Sequence, residues 1–179
     1  MIWSIPPQHP LRKLFSGVTE QAFISELGVA EPSIVDYLSE LLARFIHSDE
    51  LHRLRGADGT PITDVAMMFL QAASLPAEGR TKREYLRHIG DYALFRTGVF
   101  PESVEQERKR LGDSFISMTL QGKQSYHLAS LSEQEDQGDA ELLHHLSESF
   151  EMCAYGLNRV RKELDQIANE KRFDKLYFG

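Results

Sequence analysis

The stretch RHIGDYALFRTGVFPE, residues 87–102, decides the fold because it places a glycine and a carboxylate side by side within a helical pattern. A glycine in a helix interior costs about 1 kcal/mol relative to alanine, so a compensating contact is expected. Small and apolar residues share one face of this helix, through Leu86, Gly90 and Ala93. We therefore expect Gly90 to lie where a second helix comes close.

A polar stripe runs along another face of the same helix. Glu84, Arg87, His88 and Asp91 follow the spacing of residues that share a helix face. In one interpretation the stripe faces solvent and holds ion pairs that stabilise the helix by about 0.2–0.5 kcal/mol each. In a second, it faces a cavity and supplies metal ligands or an acid/base set. In a third, it forms a buried salt bridge to another helix.

A second glycine-bearing segment, FISMTLQGKQSYHLAS, spans residues 115–130. Its small residues recur at helical spacing, so Gly122 is expected to meet Gly90 at a close crossing of two helices. Tyr126 and His127 then become candidates to join Glu84, Arg87, His88 and Asp91 in a ligand site.

Together these two segments resemble a family of uncharacterised bacterial all-helical proteins. Members carry a D-x-x-L-F-x-x-G-x-F stretch followed by an M-G-x-x-A-Y-x-x-L stretch. The matching residues here are Asp91, Leu94, Phe95, Gly98 and Phe100, and then Gly122, Ser125, Tyr126 and Ala129. Ser125 and Ala129 replace the family's alanine and last leucine, and Gln121 stands where the family has methionine. The resemblance implies no activity, but it favours Asp91 and Tyr126 as functional residues.

The longest helix is expected over residues 140–170. Its apolar residues alternate at spacings of three and four, as in a heptad seam: Leu143, Leu146, Phe150, Cys153, Leu157, Val160, Leu164 and Ile167. This seam fits either a surface that a second copy covers or the central helix of a monomer. The second alternative removes the argument for a dimer.

The remaining helices are read from caps and apolar stripes. One begins at Pro32, one at Thr60–Pro61, one at the Thr81–Glu84 capping box and one at Asp113. With no convincing strand alternation, we predict an all-α bundle of six or seven helices in one domain, residues 1–179. Residues 1–17, rich in proline, are expected to form an extended arm with Trp3, Leu14 and Phe15 as anchors, and residues 171–179 a tail.

Composition excludes several classes of function. The net charge of −7 argues against general nucleic-acid binding, which needs a positive surface. A single cysteine, Cys153, fits a reducing compartment. No apolar run approaches the length of a membrane span, and the N-terminus does not look like a signal peptide, so a cytoplasmic protein is expected.

Three functions are compatible with these patterns. The first is a non-enzymatic helical interaction module, a homodimer. The second is a small-molecule- or metal-binding bundle, with possible enzymatic activity, that uses Glu84, His88 and Asp91. The third is a contact with an anion, an acidic partner or nucleic acid through basic residues at the start of one helix: Arg80, Lys82, Arg83 and Arg87. The sequence identifies no metal site, cofactor, substrate or reaction.

Overall fold

Helices make up the secondary structure of residues 6–46, 48–76, 80–132 and 137–177, the part of the chain that this computed structural model describes. Over those ranges no strand forms, and one isolated bridge joins Arg55 to Pro61. The described α-helices are α1 (Pro10–Glu20), α2 (Pro32–Phe45), α3 (Ser48–Leu51), α4 (Val65–Ala73), α5 (Arg80–Val99), α6 (Pro101–Leu111), α7 (Met118–Leu131), α8 (Gln137–Glu148) and α9 (Phe150–Tyr177). The all-α prediction is confirmed, with more helices than the six or seven expected.

Helices α5 and α7 cross closely and run antiparallel at the centre of the fold. A Cβ atom added to Gly90 would lie 2.6 Å from the ring of Tyr126, and one added to Gly122 would lie 2.5 Å from the ring of Phe150 and 2.9 Å from the Cβ of Ala93. Each glycine thus faces a side chain of the opposite helix. This crossing supplies the compensating contact expected for a glycine in a helix interior.

The predicted long C-terminal helix is present as α9, and a turn at Ser149 separates it from α8, so the predicted range 140–170 is divided between two helices. Helix α8 packs chiefly on α7, and α9 packs chiefly on α5. The turn between the two helices allows the apolar residues of α8 to pack on α7 and those of α9 to pack on α5. The seam side chains are buried from Leu143 to Val160, and Leu164 and Ile167 pack partly buried against the same core. The seam is therefore part of this chain's own core.

Both ends of the chain differ from the expectation. Helix α1 begins at Pro10, where His9 accepts a hydrogen bond from the backbone N–H of Leu11, so residues 10–17 are not an extended arm. Proline fits the first turn of a helix because its missing N–H would have no partner there. Trp3 lies outside the described residues. At the other end, α9 continues to Tyr177, so the predicted tail is helical over 171–177.

Several helix starts were placed a few residues off. Helix α4 begins at Val65 with Asp64 as its cap, and α7 begins after Ser117, so Thr60 and Asp113 do not cap these helices. Helix α5 already includes Arg80, which places Thr81 inside the helix. Asp and Ser are both strong caps, and several candidates lie close together in each loop. The start at Pro32 is confirmed.

The buried apolar side chains of the described residues form one connected core. Helix α2 packs on α1 and also contacts α5, which brings its polar side chains toward the α5–α7 crossing. Across the described ranges, no helix is both long and apolar enough to cross a membrane.

Candidate functional site

Asp91 is the centre of a buried polar cluster at the α5–α7 crossing. Its side chain is fully buried. The Oδ1 atom accepts hydrogen bonds from the hydroxyls of Tyr37, at 2.5 Å, and Tyr126, at 2.7 Å. The Oδ2 atom accepts a hydrogen bond from Nη2 of Arg44 at 3.0 Å. One carboxylate thereby joins α2, α5 and α7.

The cluster follows from helical spacing on each element. Tyr37 and Arg44 are seven residues apart, so they lie two turns apart on one face of α2. Arg87 and Asp91 are one turn apart on α5. Nε of Arg87 donates to the Tyr37 hydroxyl at 3.1 Å, and its guanidinium lies 4.9 Å from the centre of the Tyr37 ring. The Tyr37 hydroxyl therefore accepts a hydrogen bond from Arg87 and donates one to Asp91.

The charges of the cluster keep Asp91 ionised. Burial alone would raise the pKa of Asp91, but the positive charges of Arg44 and Arg87 and the two tyrosine hydroxyls hold that pKa below its ordinary value. Burial and the neighbouring carboxylate both raise the pKa of Tyr126. The tyrosine thus remains a protonated donor, and the cluster is a carboxylate stabilised by neutral hydroxyls and arginines.

His88 is buried beside the cluster as a neutral ring. Only 2% of the residue is exposed, and the ring packs edge-on against Phe45 with the centroids 5.7 Å apart. Burial lowers the pKa of His88 to about 4, and the charge of Arg53 acts in the same direction. No hydrogen-bond partner for its Nε2 atom exists among the described residues.

A small cavity of about 10 Å³ lies against this cluster. Its lining consists of Arg44, Arg53, Glu84, Arg87, His88 and Asp91. A volume of this size has room for about one water molecule or one oxygen-sized group. The cavity cannot enclose a whole organic substrate in this conformation.

Five of the six candidate site residues lie at this place. His88, Asp91 and Tyr126 are buried, and Glu84 and Arg87 are half-buried. The interpretation of the stripe as a solvent-facing surface was therefore wrong for His88 and Asp91, because α2 covers them. Glu84 also pairs with Arg80 of the same helix at 2.8 Å.

His127 does not join the site. Its side chain is exposed on the outer face of α7, and its ring lies 6.2 Å from that of His144. In the described part of the chain, no group of three or more His, Cys, Asp or Glu residues is arranged to hold a metal ion. Cys153 is buried, and burial raises the pKa of its thiol to about 12, which is unsuited to a nucleophile.

Sequence reasoning missed the two α2 residues, Tyr37 and Arg44. The apolar stripe of α2 includes Leu41, which lies one turn after Tyr37 and three residues before Arg44. Both residues are therefore on or beside the face that the stripe marks as buried. An arginine in that place indicates a buried anionic partner, because a buried charge is rarely left unpaired.

A second surface feature lies on the outer side of α4 and α7. An apolar groove of about 360 Å³ runs between these helices. Its lining residues are Ala66, Phe69, Leu70, Ala73, Ile116, Gln121 and Gln124. Leu70 and Leu120 beside it are each 65% exposed, so large apolar side chains face solvent here.

No known protein family, curated protein or solved structure matches this chain.

Proposed function

We propose that the protein is a non-enzymatic cytoplasmic interaction module of the bacterial family that its sequence resembles, and that it assembles as a homodimer through α4 and α7. The observation that supports this most is the apolar groove between these helices. Exposed apolar patches rimmed by polar residues are typical of interaction sites. We call this surface, from Ala66 to Ala73 and from Ile116 to Gln124, the α4–α7 face.

The chemistry of the groove favours a second copy of this chain as the occupant. The lining residues carry no charge, whereas the whole chain has a net charge of −7. Two acidic copies repel one another over most of their surfaces. The electrostatic repulsion is therefore smallest where two uncharged faces approach each other. Leu120 forms an exposed ridge beside the groove. A ridge and a groove on one face allow each copy to insert into the other about a two-fold axis.

The polar cluster favours a structural role for Asp91 over a catalytic one. Three hydrogen bonds from Tyr37, Tyr126 and Arg44 occupy three of the four acceptor positions of its two oxygen atoms, and the lowered pKa of Asp91 makes it a weak base. An acid/base residue needs a free lone pair or proton within reach of a substrate. The alternative function, a metal-binding or enzymatic bundle built on Glu84, His88 and Asp91, has less support, since Asp91 is surrounded by arginines. The buried free thiol of Cys153 agrees with a reducing cytoplasm.

The dimer is tested by light scattering and sedimentation over a range of concentrations. We expect a concentration-dependent dimer, and we expect Leu120→Glu to raise its dissociation constant at least about tenfold, because a charge is then buried against an apolar groove. Leu14→Glu is the matched control: Leu14 is also an exposed leucine, 42% exposed, but it lies on α1.

A wild-type chain that remains monomeric up to about 1 mM contradicts the proposal. Equal effects of Leu120→Glu and Leu14→Glu would instead place the contact outside the α4–α7 face. Circular dichroism of each variant checks that the helices are retained.

A further inference from the structure

The polar cluster contains buried polar atoms that the fold itself does not use. Arg44 donates its Nη2 to Asp91, but its buried Nε has no hydrogen-bond partner among the described residues. The buried Nε2 of His88 also lacks a partner, but it is an acceptor, because the neutral ring donates its single N–H to the backbone of Leu51. Both residues line the 10 Å³ cavity. A buried donor without a partner costs about 1–3 kcal/mol, so an acceptor group that enters the cavity and bonds Nε of Arg44 gains that free energy.

The charge around the cavity favours an anion. Three arginines, Arg44, Arg53 and Arg87, line it together with two carboxylates, Glu84 and Asp91. With His88 neutral, the lining has one excess positive charge. Arg53 forms no ion pair within the described residues, and Glu84 is shared with Arg80. A ligand with a single negative charge balances this site.

The size and exposure of the cavity define how such a ligand enters. Arg44, His88 and Asp91 are buried and form the floor. Arg53, Glu84 and Arg87 are half-buried and form the mouth. The floor has room for one oxygen atom, so the rest of the ligand remains at the mouth. A phosphate dianion carries more negative charge than the lining balances.

We propose that this cavity is a binding site for the carboxylate group of a small monoanionic organic acid. One carboxylate oxygen enters beside Nε of Arg44, and the other faces Arg53 and Arg87 at the mouth. Arginine suits this role because its planar donors match the geometry of a carboxylate. The site is independent of the α4–α7 face, so it does not require the proposed dimer.

The test is an NMR titration of the full-length ¹⁵N-labelled protein with sodium acetate near pH 7 at constant ionic strength. Acetate has few atoms, so we expect saturable shifts with a dissociation constant on the order of 1 mM. Arg53→Gln should weaken acetate binding by about tenfold, since one charge-assisted hydrogen bond is lost. Glu84→Gln should strengthen it, because a negative charge leaves the mouth.

Arg110→Gln, which removes an exposed arginine of α6, is the matched control and should not change the affinity. The spectrum of each variant reports at once whether the fold is retained. Three results overturn the proposal: no saturable acetate shifts, equal effects of Arg53→Gln and Arg110→Gln, or sodium phosphate or chloride binding as tightly as acetate.

Discussion

Asp91 connects three helices that are far apart in sequence. Its hydrogen bonds reach Tyr37 and Arg44 in α2 and Tyr126 in α7, across 35 to 54 residues. A buried ion pair of this kind is weak evidence for added stability, since both charges lose their hydration. Its hydrogen bonds are directional, however, so only one arrangement of α2, α5 and α7 satisfies all of them. We infer that the cluster fixes the register of these helices.

Removing the charge of Asp91 should therefore destabilise the protein through Arg44. We expect Asp91→Asn to lower the free energy of unfolding by about 3 kcal/mol, because Arg44 then remains buried without a counter-charge. Arg44→Met should also lower the free energy of unfolding, because Asp91 then remains buried without the positive charge of Arg44. The double variant should lose about 2 kcal/mol less than the sum of the two single losses. Urea denaturation of the four proteins measures this coupling, and additive effects would show that the two side chains act separately.

At the level of helices, glycine sets how closely α5 and α7 approach. Gly90 faces the ring of Tyr126, whose hydroxyl is held by Asp91. The ring therefore cannot turn away without breaking that hydrogen bond. The polar cluster and the close crossing support each other, which answers why a glycine and an aspartate stand side by side in residues 87–102.

Two glycine-to-alanine substitutions should change stability in opposite directions. Gly90→Ala places a methyl group 2.6 Å from the Tyr126 ring, and we expect a net loss of about 1–3 kcal/mol despite the better helix propensity. Gly17→Ala is the control within α1, where nothing lies within 4 Å of the added atom. There we expect a gain of about 0.5–1 kcal/mol. Thermal denaturation compares the two, and a stabilised Gly90→Ala protein would contradict the tight crossing.

The sequence predicts the helices better than it predicts their starts. Apolar stripes placed α2 and the seam of α8 and α9 because burial repeats at helical spacing over many residues. The interruption at Ser149 left that spacing intact, so the pattern gave no sign of it. Helix starts depend on one hydrogen bond from a cap, and neighbouring residues such as Thr60 and Asp64 compete for that role.

On the scale of the whole molecule, the site was only half predictable. Glu84, Arg87, His88 and Asp91 share a face of one helix, which spacing alone reveals. Whether that face points inward depends on α2, and its contacts to Asp91 join residues about 50 positions apart. A single sequence shows the order of helices but not which faces meet. The resemblance that favoured Asp91 and Tyr126 selected two residues that hydrogen-bond to each other.

Acid should weaken the whole fold in a pH range that His88 defines. The pKa of His88 is lowered from 6.5 to about 4 in the folded protein, so the unfolded chain takes up this proton first as the pH falls. Its neutral form thus supports the fold fully above pH 6.5, and this contribution, on the order of 3 kcal/mol, is lost between about pH 6.5 and 4. Asp91, whose pKa is also lowered, adds a further loss of stability only below the ordinary pKa of an aspartate.

Urea denaturation across this pH range should show a flatter profile of unfolding free energy for His88→Gln than for wild type. His127→Gln, at an exposed position, should match wild type. Parallel profiles for wild type and His88→Gln would contradict this prediction. They would mean that His88 takes up its proton equally in the folded and the unfolded state, despite its burial beside Arg44 and Arg53.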